Sequence, residues 1–412
     1  MPSDRFFRRL RGPQILHPER LQDCYREGPF LSRTMGKMNI LFDHQVFSWQ
    51  QYGGVSRYFY EIANRIAAMP GNKVEIFSPL YVNEYFRNDS RVRPRGIKIV
   101  PFPGLKRLVD ALNHCLYLPR LFVKPRHDVD IFHETDYSMS DYCPVSAKRI
   151  VTVYDMIYEK FTEYFPGSAE AHQVKAHAVH RADHVICISE NTKHDLIELL
   201  AVPEEKISVV YLGCSLASNA GETTDKSAAD QKPYILYVGA RRDYKNFKRL
   251  IHVYASSSFL RNNFALVCFG GGKFSSAELG LMQSLGISTG SVRHLSGTDD
   301  VLAGLYVSAA AFVYPSLYEG FGIPLLEAMS LGCPVVCANT SSMPEVAGDA
   351  AELFDPYDES AMRGAIERVV STPKYATVLV EKGRRRASLF SWDKCARETR
   401  AIYQKVVGLD RQ

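Results

Sequence analysis

The stretch AAFVYPSLYEGFGIPLLEAMSLGCPVVCANT, residues 310–340, reads as one strand, loop, helix, strand unit. AAFVYPS and PVVCANT are short apolar runs with β-branched residues, bounded by turn-forming residues, and such runs are strands. PLLEAMSLG between them reads as a helix: Pro324 suits its first turn, where no N–H is needed, and Gly332 suits its C-terminal cap. Two strands joined through a helix run parallel, so the unit predicts a parallel sheet covered by helices. The turn Glu319-Gly320-Phe321-Gly322 leads into Ile323 and frees backbone amides at a helix N-terminus, whose partial positive charge receives phosphate. Glu319 stands in this turn and Glu327 in the first turns of the helix. A carboxylate only accepts hydrogen bonds, so Glu327 beside a phosphate site calls for hydroxyls such as those of a ribose. The same two residues also fit a solvated loop carboxylate and a complement to the helix dipole, and the rest of the chain decides between these readings.

The plan recurs along the whole chain. Strands are predicted at 38–44, 73–79, 97–103, 130–134, 149–155, 184–189 and 207–212, and again at 234–240, 264–270, 291–297, 310–316 and 334–340. Helix-period stretches alternate with them: SRYFYEIANRIAA puts Phe59, Ile62, Ala63 and Ile66 on one face, and SENTKHDLIELL opens on a Ser cap. CSLASNAGETTDKSAADQKP, residues 214–233, is polar and built of small residues, and reads as a linker. The fold class is therefore α/β, with two doubly wound, Rossmann-like domains at 38–213 and 234–390 facing a central cleft, where ligands meet the carboxyl ends of strands. Residues 1–34, preceding Met35 and Met38, read as a disordered extension, and 391–412 as a C-terminal helix.

With 412 residues, 46% of them hydrophobic, the chain has material for two cores. Its net charge of +5 is mild and uneven, with seven arginines in the first 35 residues; nucleic acid is not required by it, and anionic nucleotides or a membrane surface serve as well. Nine cysteines without a Cys-x-x-Cys pair point to free thiols rather than a zinc site or a disulfide framework. No apolar run spans a bilayer, and MPSDRFFRRLRG lacks the apolar core of a secretory signal, so a cytoplasmic location is expected.

Two further loops carry chemistry. YVGARRDYKNF, residues 237–247, ends a strand at Gly239 and then supplies Arg241 and Lys245; if it shares the crevice of Gly320 to Gly322, its cations and the helix N-terminus suit a diphosphate. YGGVSRYF, residues 52–59, places Gly53 and Gly54 before a helix, where a ligand can approach backbone closely. Neither G-x-G-x-x-G nor G-x-x-x-x-G-K-[ST] occurs, which argues against dinucleotide dehydrogenases and P-loop enzymes. Residues 104–127 mix leucines with Lys106, Arg107, Arg120, Lys124 and Arg126, and read either as a core helix with a basic face or as a surface for anionic lipid.

EGFGIPLLEAMSLGCPVV, VGARRDYKN, ISENTKHDL, GGVSRYFYE and FSWDKCA together resemble the retaining glycosyltransferases of family four, which have the GT-B fold, over residues 38–408. The resemblance implies a nucleotide-diphosphate sugar as co-substrate, with no metal or other cofactor, and transfer of a hexose, with mannose from GDP-mannose the guess, to a saccharide or lipid-linked saccharide acceptor with retention of configuration. By implication Glu327 holds ribose hydroxyls, and Arg241 and Lys245 neutralise the diphosphate. Glu319 and the backbone from Gly320 through Phe321 and Gly322 to Ile323 face sugar and phosphates, the Gly53-Gly54 loop closes from the other side, and the C-terminal helix crosses back to the N-terminal domain. Where many relatives carry a sugar-contacting His, this chain has Tyr154, and His133 is the substitute considered. Asp128-Val129-Asp130 matches a D-x-D metal pattern of a different glycosyltransferase fold, a weak match beside the implied metal independence. Rival readings are a catalytically silent sugar-nucleotide binding protein and a sugar-nucleotide epimerase of the same fold.

Overall fold

Thirteen strands pair only in parallel among the described residues, and this places every strand-to-helix loop of a sheet at one edge. The computed structural model describes residues 37–87, 89–100, 105–123, 128–214 and 232–409. The first sheet contains β1 (Met38–Phe42), β2 (Asn72–Tyr81), β3 (Pro94–Lys98), β4 (Ile131–Glu134), β5 (Lys148–Val153), β6 (His184–Cys187) and β7 (Ile207–Val209) in the order 3-2-1-4-5-6-7. The second contains β8 (Tyr234–Val238), β9 (Ala265–Phe269), β10 (Val292–Leu295), β11 (Ala311–Tyr314), β12 (Val335–Ala338) and β13 (Ala351–Phe354) in the order 10-9-8-11-12-13. Strand order reverses between β1 and β4 and between β8 and β11, and a crevice opens at such reversals. The chain is thus two doubly wound α/β domains, and residues 37–412 form one compact unit.

Central strands such as β11 and β12 are buried along their whole length, which is why they read as unbroken apolar runs. The helix Gly54–Ala68 buries Phe59, Ile62, Ala63 and Ile66 against the first sheet, as its period requires. Two segments differ from the sequence reading. β3 lies at 94–98, earlier than expected, because this exposed edge strand is selected by backbone fit: Gly96 lies where an added Cβ would stand 1.7 Å from the Ser78 carbonyl oxygen. β13 was not predicted at all, since Ala351–Phe354 is a half-exposed edge strand with no apolar run to betray it. Residues 1–34, and positions 215–231 of the stretch 214–233 read as a linker, lie outside the described residues.

The helix Trp392–Val406 packs on the N-terminal domain although it follows the C-terminal one. Ser391 caps it by accepting the Lys394 N–H at 3.1 Å, Asp393 pairs with Arg65 Nε at 2.9 Å, and the Trp392 ring lies 6.5 Å from that of Tyr58. At its far end Tyr403 Oη and His133 Nδ1 are 2.5 Å apart, while His133 Nε2 reaches Thr152 Oγ1 at 2.9 Å. His133 is fully buried with both ring nitrogens engaged, and burial lowers its pKa to about 3. It therefore cannot touch a sugar, and its assignment as a substitute sugar contact is corrected: it is the buried post to which the returning helix is tied. Asp130 likewise serves the sheet, accepting the Asn39 N–H at 2.7 Å.

Tyr403→Phe removes one partner and leaves a buried imidazole nitrogen unsatisfied, so it should destabilise the protein by about 1 to 3 kcal/mol in denaturant titration. Stability equal to wild type would show that the helix is held by apolar packing alone.

Candidate active site

Two loops at the β8/β11 reversal are zipped together by the Leu317 N–H, which donates to the Tyr244 carbonyl at 2.8 Å. This brings Lys245 Nζ to 2.6 Å from Glu319 Oε1 and 2.8 Å from Oε2. Both side chains are largely buried. Burial alone would lower the pKa of Lys245, but Glu319 and Tyr244 outweigh it and raise the value, so the ammonium is kept. The Glu319 backbone is fixed as well: its N–H donates to Ser341 Oγ at 3.0 Å, and the Ser342 hydroxyl lies 2.9 Å from the carbonyls of both Glu319 and Phe321.

Beyond Glu319 the chain turns through Gly322 at φ +103°, a left-handed conformation that a side chain would strain, into the helix Ile323–Ser330 with Pro324 in its first turn. The N–H groups of Gly320, Phe321, Gly322 and Ile323 have no acceptor among the described residues. Lys245 and these amides are sequence-predicted residues that the structure gathers at one place. Gly320 also meets the other domain: an added Cβ would stand 1.7 Å from the Tyr154 carbonyl oxygen.

Arg241 requires a correction. Its Nε donates to Glu278 Oε1 at 2.6 Å, Nη1 to the Gly270 carbonyl at 2.9 Å, and Nη2 to the carbonyls of Gly272 and Lys273 at 2.8 and 3.0 Å, with the guanidinium 4.8 Å over the Phe274 ring. The consecutive left-handed glycines 270 to 272 turn their carbonyls inward, and the arginine fork satisfies them. Arg241 thus shapes a loop, and of the two predicted cations only Lys245 stands at Glu319.

Glu327 is buried on the helix Ile323–Ser330, where the Tyr306 hydroxyl donates to its Oε2 at 3.3 Å. Burial pushes its pKa up to about 7, with Arg57 and Tyr306 pulling it down and Asp299 raising it. Arg57 is a residue the sequence reading missed. It sits in the first turn of the helix that Gly54 opens and Gly53 precedes, and its Nη2 lies 3.7 Å from Asp299 Oδ2 of the second domain. The glycine pair therefore starts a helix that leans across the cleft, and its spacing from Arg57 in YGGVSRYF was the available signal.

Tyr154 follows β5, but its ring packs 6.0 Å from Tyr58 and 6.4 Å from Phe59, and its buried hydroxyl has no hydrogen-bond partner among the described residues. Its backbone, rather than its phenol, is what the structure brings to the Gly320 loop. At the other reversal, Asp43 accepts the Thr135 N–H at 3.1 Å and the Gln45 amide at 2.7 Å, joining the ends of β1 and β4; burial lifts its pKa to about 6.

Comparison with known proteins agrees with this layout. Residues 52–218 match the family model described as Glycosyltransferase Family 4, and residues 221–386 that described as Glycosyl transferases group 1. The chain is 28% identical over 374 residues to O-antigen chain mannosyltransferase B of Escherichia coli, covering 85% of this chain and 96% of that protein. Among solved structures it is similar in fold to sucrose-phosphate synthase from Thermosynechococcus elongatus, with TM-score 0.70 and 19% identity over 90% of this chain and 100% of that one. It is likewise similar to HepE of Anabaena, solved in complex with UDP-glucose, with TM-score 0.67 and 16% identity over 89% and 100% of the two chains.

The environment of Glu327 makes a signed prediction. The carboxyl titrates near 7 in the folded chain against 4.5 ordinarily, so between those values the unfolded chain releases a proton that the folded chain keeps. The contribution of Glu327 to stability is therefore largest below that window and falls as pH rises through it, by up to about 3 kcal/mol. Glu327→Gln should flatten this part of the stability profile, measured by denaturant titration across the window. An unchanged slope would place the carboxyl in ordinary solvent.

Proposed function

The chain belongs to the family-4 glycosyltransferases, and we propose that it moves a hexose, mannose from GDP-mannose, to a saccharide or lipid-linked saccharide acceptor with retention of anomeric configuration. The observation that carries this reading is the Lys245–Glu319 pair set beside four amides at a helix N-terminus that have no acceptor among the described residues, in the crevice of a parallel sheet. A fixed ammonium and converging N–H groups stabilise the charge that develops on a departing diphosphate. Glu327, carrying only a 3.3 Å contact from a tyrosine hydroxyl, retains lone pairs for the ribose. The mannosyltransferase named among the relatives supports the choice of sugar.

Glu319 gives both its oxygens to Lys245, which leaves no free carboxylate to attack the anomeric carbon. The proposed course is therefore a same-face substitution: the bond from anomeric carbon to phosphate oxygen breaks, the acceptor oxygen bonds to that carbon, and the acceptor proton passes to the departing diphosphate. No metal ion takes part, since Lys245 and the amides supply the positive potential. The acceptor approaches from the N-terminal domain. The helix Leu105–Val123 buries Val109, Asn113 and Tyr117 and exposes Leu108, Leu112 and Leu116 along the neighbouring stripe, and we read that stripe as a contact for an anionic membrane holding a lipid-linked acceptor. The basic side chains at 106, 107, 120, 124 and 126 that belong to this reading lie outside the described side chains.

With GDP-mannose and a mannose-terminated saccharide, the product should keep the donor's anomeric configuration by NMR, and transfer should persist in EDTA. Lys245→Ala should weaken GDP binding by about 1.5 to 3 kcal/mol in calorimetry while sparing guanosine. Inverted product, a requirement for divalent metal, conversion of the donor into an epimer, or binding without turnover would each refute this course. Vesicles containing anionic lipid should co-sediment the protein at low salt and release it at high salt. Equal binding to neutral vesicles would remove the membrane contact.

A further inference from the structure

The N-terminal domain grips the Glu319 loop on both sides of that residue. Tyr318, just before it, donates its hydroxyl to Asp195 Oδ2 at 2.6 Å. Gly320, just after it, accepts at its carbonyl from Ser189 Oγ at 2.7 Å and from Thr192 Oγ1 at 3.3 Å. Ser189, Thr192 and Asp195 all belong to one helix, Glu190–Leu200, and its N-cap. The N-terminus of that helix is met by the second domain again: the Glu345 carboxylate accepts the N–H groups of Glu190 at 2.7 Å and Asn191 at 3.1 Å. Glu345 stands on the helix Met343–Ala347, next to the Ser341 and Ser342 that hold the Glu319 backbone. Two neighbouring loops of one domain are thus registered against a single helix of the other.

Asp195 is built to hold this contact. It is buried, its Oδ1 pairs with Lys160 Nζ at 2.5 Å, and its Oδ2 also accepts from Asn191 Nδ2 at 2.9 Å. Tyr318 is buried too, with Phe161 packed 6.0 Å from its ring. A hydrogen bond to a charged, desolvated acceptor is both strong and directional, so the backbone entering Glu319 has one favoured setting when the domains are docked. Undocked, Tyr318 loses its acceptor and the Gly320 carbonyl its donors, while the Lys245–Glu319 pair and the four amides stay together, because they lie in one domain.

We propose that the helix Glu190–Leu200 is the stop against which the two domains register, and that Asp195, acting through Tyr318, is a positioning residue for Glu319. This rests on the role given to Glu319 above. It follows that nucleotide binding and turnover respond differently to loss of the contact, the first needing one domain and the second both.

The test uses the full chain with GDP-mannose as donor and GDP as binding probe, with UDP-glucose and UDP as the second pair. Tyr318→Phe leaves Asp195 paired with Lys160 and should lower kcat about tenfold while the GDP dissociation constant stays within about twofold. In an Asp195→Asn background the same change should cost much less, because the two residues act as one contact. An unchanged kcat in Tyr318→Phe, a parallel loss of GDP affinity, or full additivity of the two changes would overturn the proposal. Glu319→Gln on the same footing separates the two readings: if it lowers turnover while Tyr318→Phe does not, the positioning role alone fails. If Glu319→Gln turns over like wild type, the role of Glu319 fails and the positioning role with it.

Discussion

The Tyr154 carbonyl oxygen, at the end of a strand of one domain, occupies the place where any side chain at position 320 of the other would begin, 1.7 Å from an added Cβ. Glycine at 320 therefore sets how closely the domains approach, and much of the centre follows from that distance. It lets Ser189 reach the Gly320 carbonyl and Asp195 reach Tyr318, and it accompanies the placing of Arg57 near Glu327. The approach is held from behind by a covalent circuit. The chain leaves the first domain at Gly213, whose added Cβ would stand 2.1 Å from the Trp392 nitrogen, and the returning helix is tied through Tyr403 to His133. Gly213, at the end of the first domain, and Trp392, where the chain returns to it, lie against each other, which is where a hinge belongs.

Charge is handled differently at each buried acid, and the differences support the proposed roles. Glu319 has a full cation at both oxygens, in a site where an unpaired carboxylate would cost several kcal/mol, on the order expected for a buried ion. Glu327 has a single neutral donor at 3.3 Å and is pushed up to about 7 by burial. An acid left under-satisfied gains the most from a ligand that brings hydroxyl donors, whereas one already chelated gains little. The pair thus divides into a carboxylate that fixes a cation and a carboxylate that awaits a ligand. Arg241 belongs to neither group, because inward-facing glycine carbonyls already take its donors.

The fold was legible because buried parallel strands are continuous apolar runs, and most segments predicted as strands are strands at nearly the expected limits. β13 escaped because a half-exposed edge strand has no such run, and β3 shifted because backbone approach at Gly96 outweighs side-chain pattern. In the site, what was legible from local spacing is a neighbourhood: Lys245 and Glu319 in the loops after β8 and β11, and the glycine turn leading into the helix that carries Glu327. Arg241 was misread because its partners are carbonyls about 30 residues away, which no spacing displays. His133 was misread because the partners of its two ring nitrogens are Thr152 and Tyr403, the latter 270 residues distant. Arg57, Asp195 and Tyr318 stayed hidden for the same reason, their meaning lying in contacts between domains.

The geometry also bears on why a substitution at the anomeric carbon needs both domains. The groups proposed to receive the diphosphate, Lys245 and the amides of residues 320–323, act together whether or not the domains are docked, since their two loops belong to one domain and are joined by the Leu317–Tyr244 hydrogen bond and the Lys245–Glu319 pair. Such groups bind ground state and transition state alike unless something fixes where the developing charge falls relative to them. Registration of Tyr318 and Gly320 against one helix of the opposite domain provides that fixing, and it does so on either side of Glu319. A free carboxylate at this position would invite attack on the anomeric carbon; one chelated by Lys245 instead keeps the ammonium in place beside the turn. Retention by same-face departure needs a leaving group held still more than it needs a nucleophile, and a bidentate ion pair gripped from both flanks meets that demand.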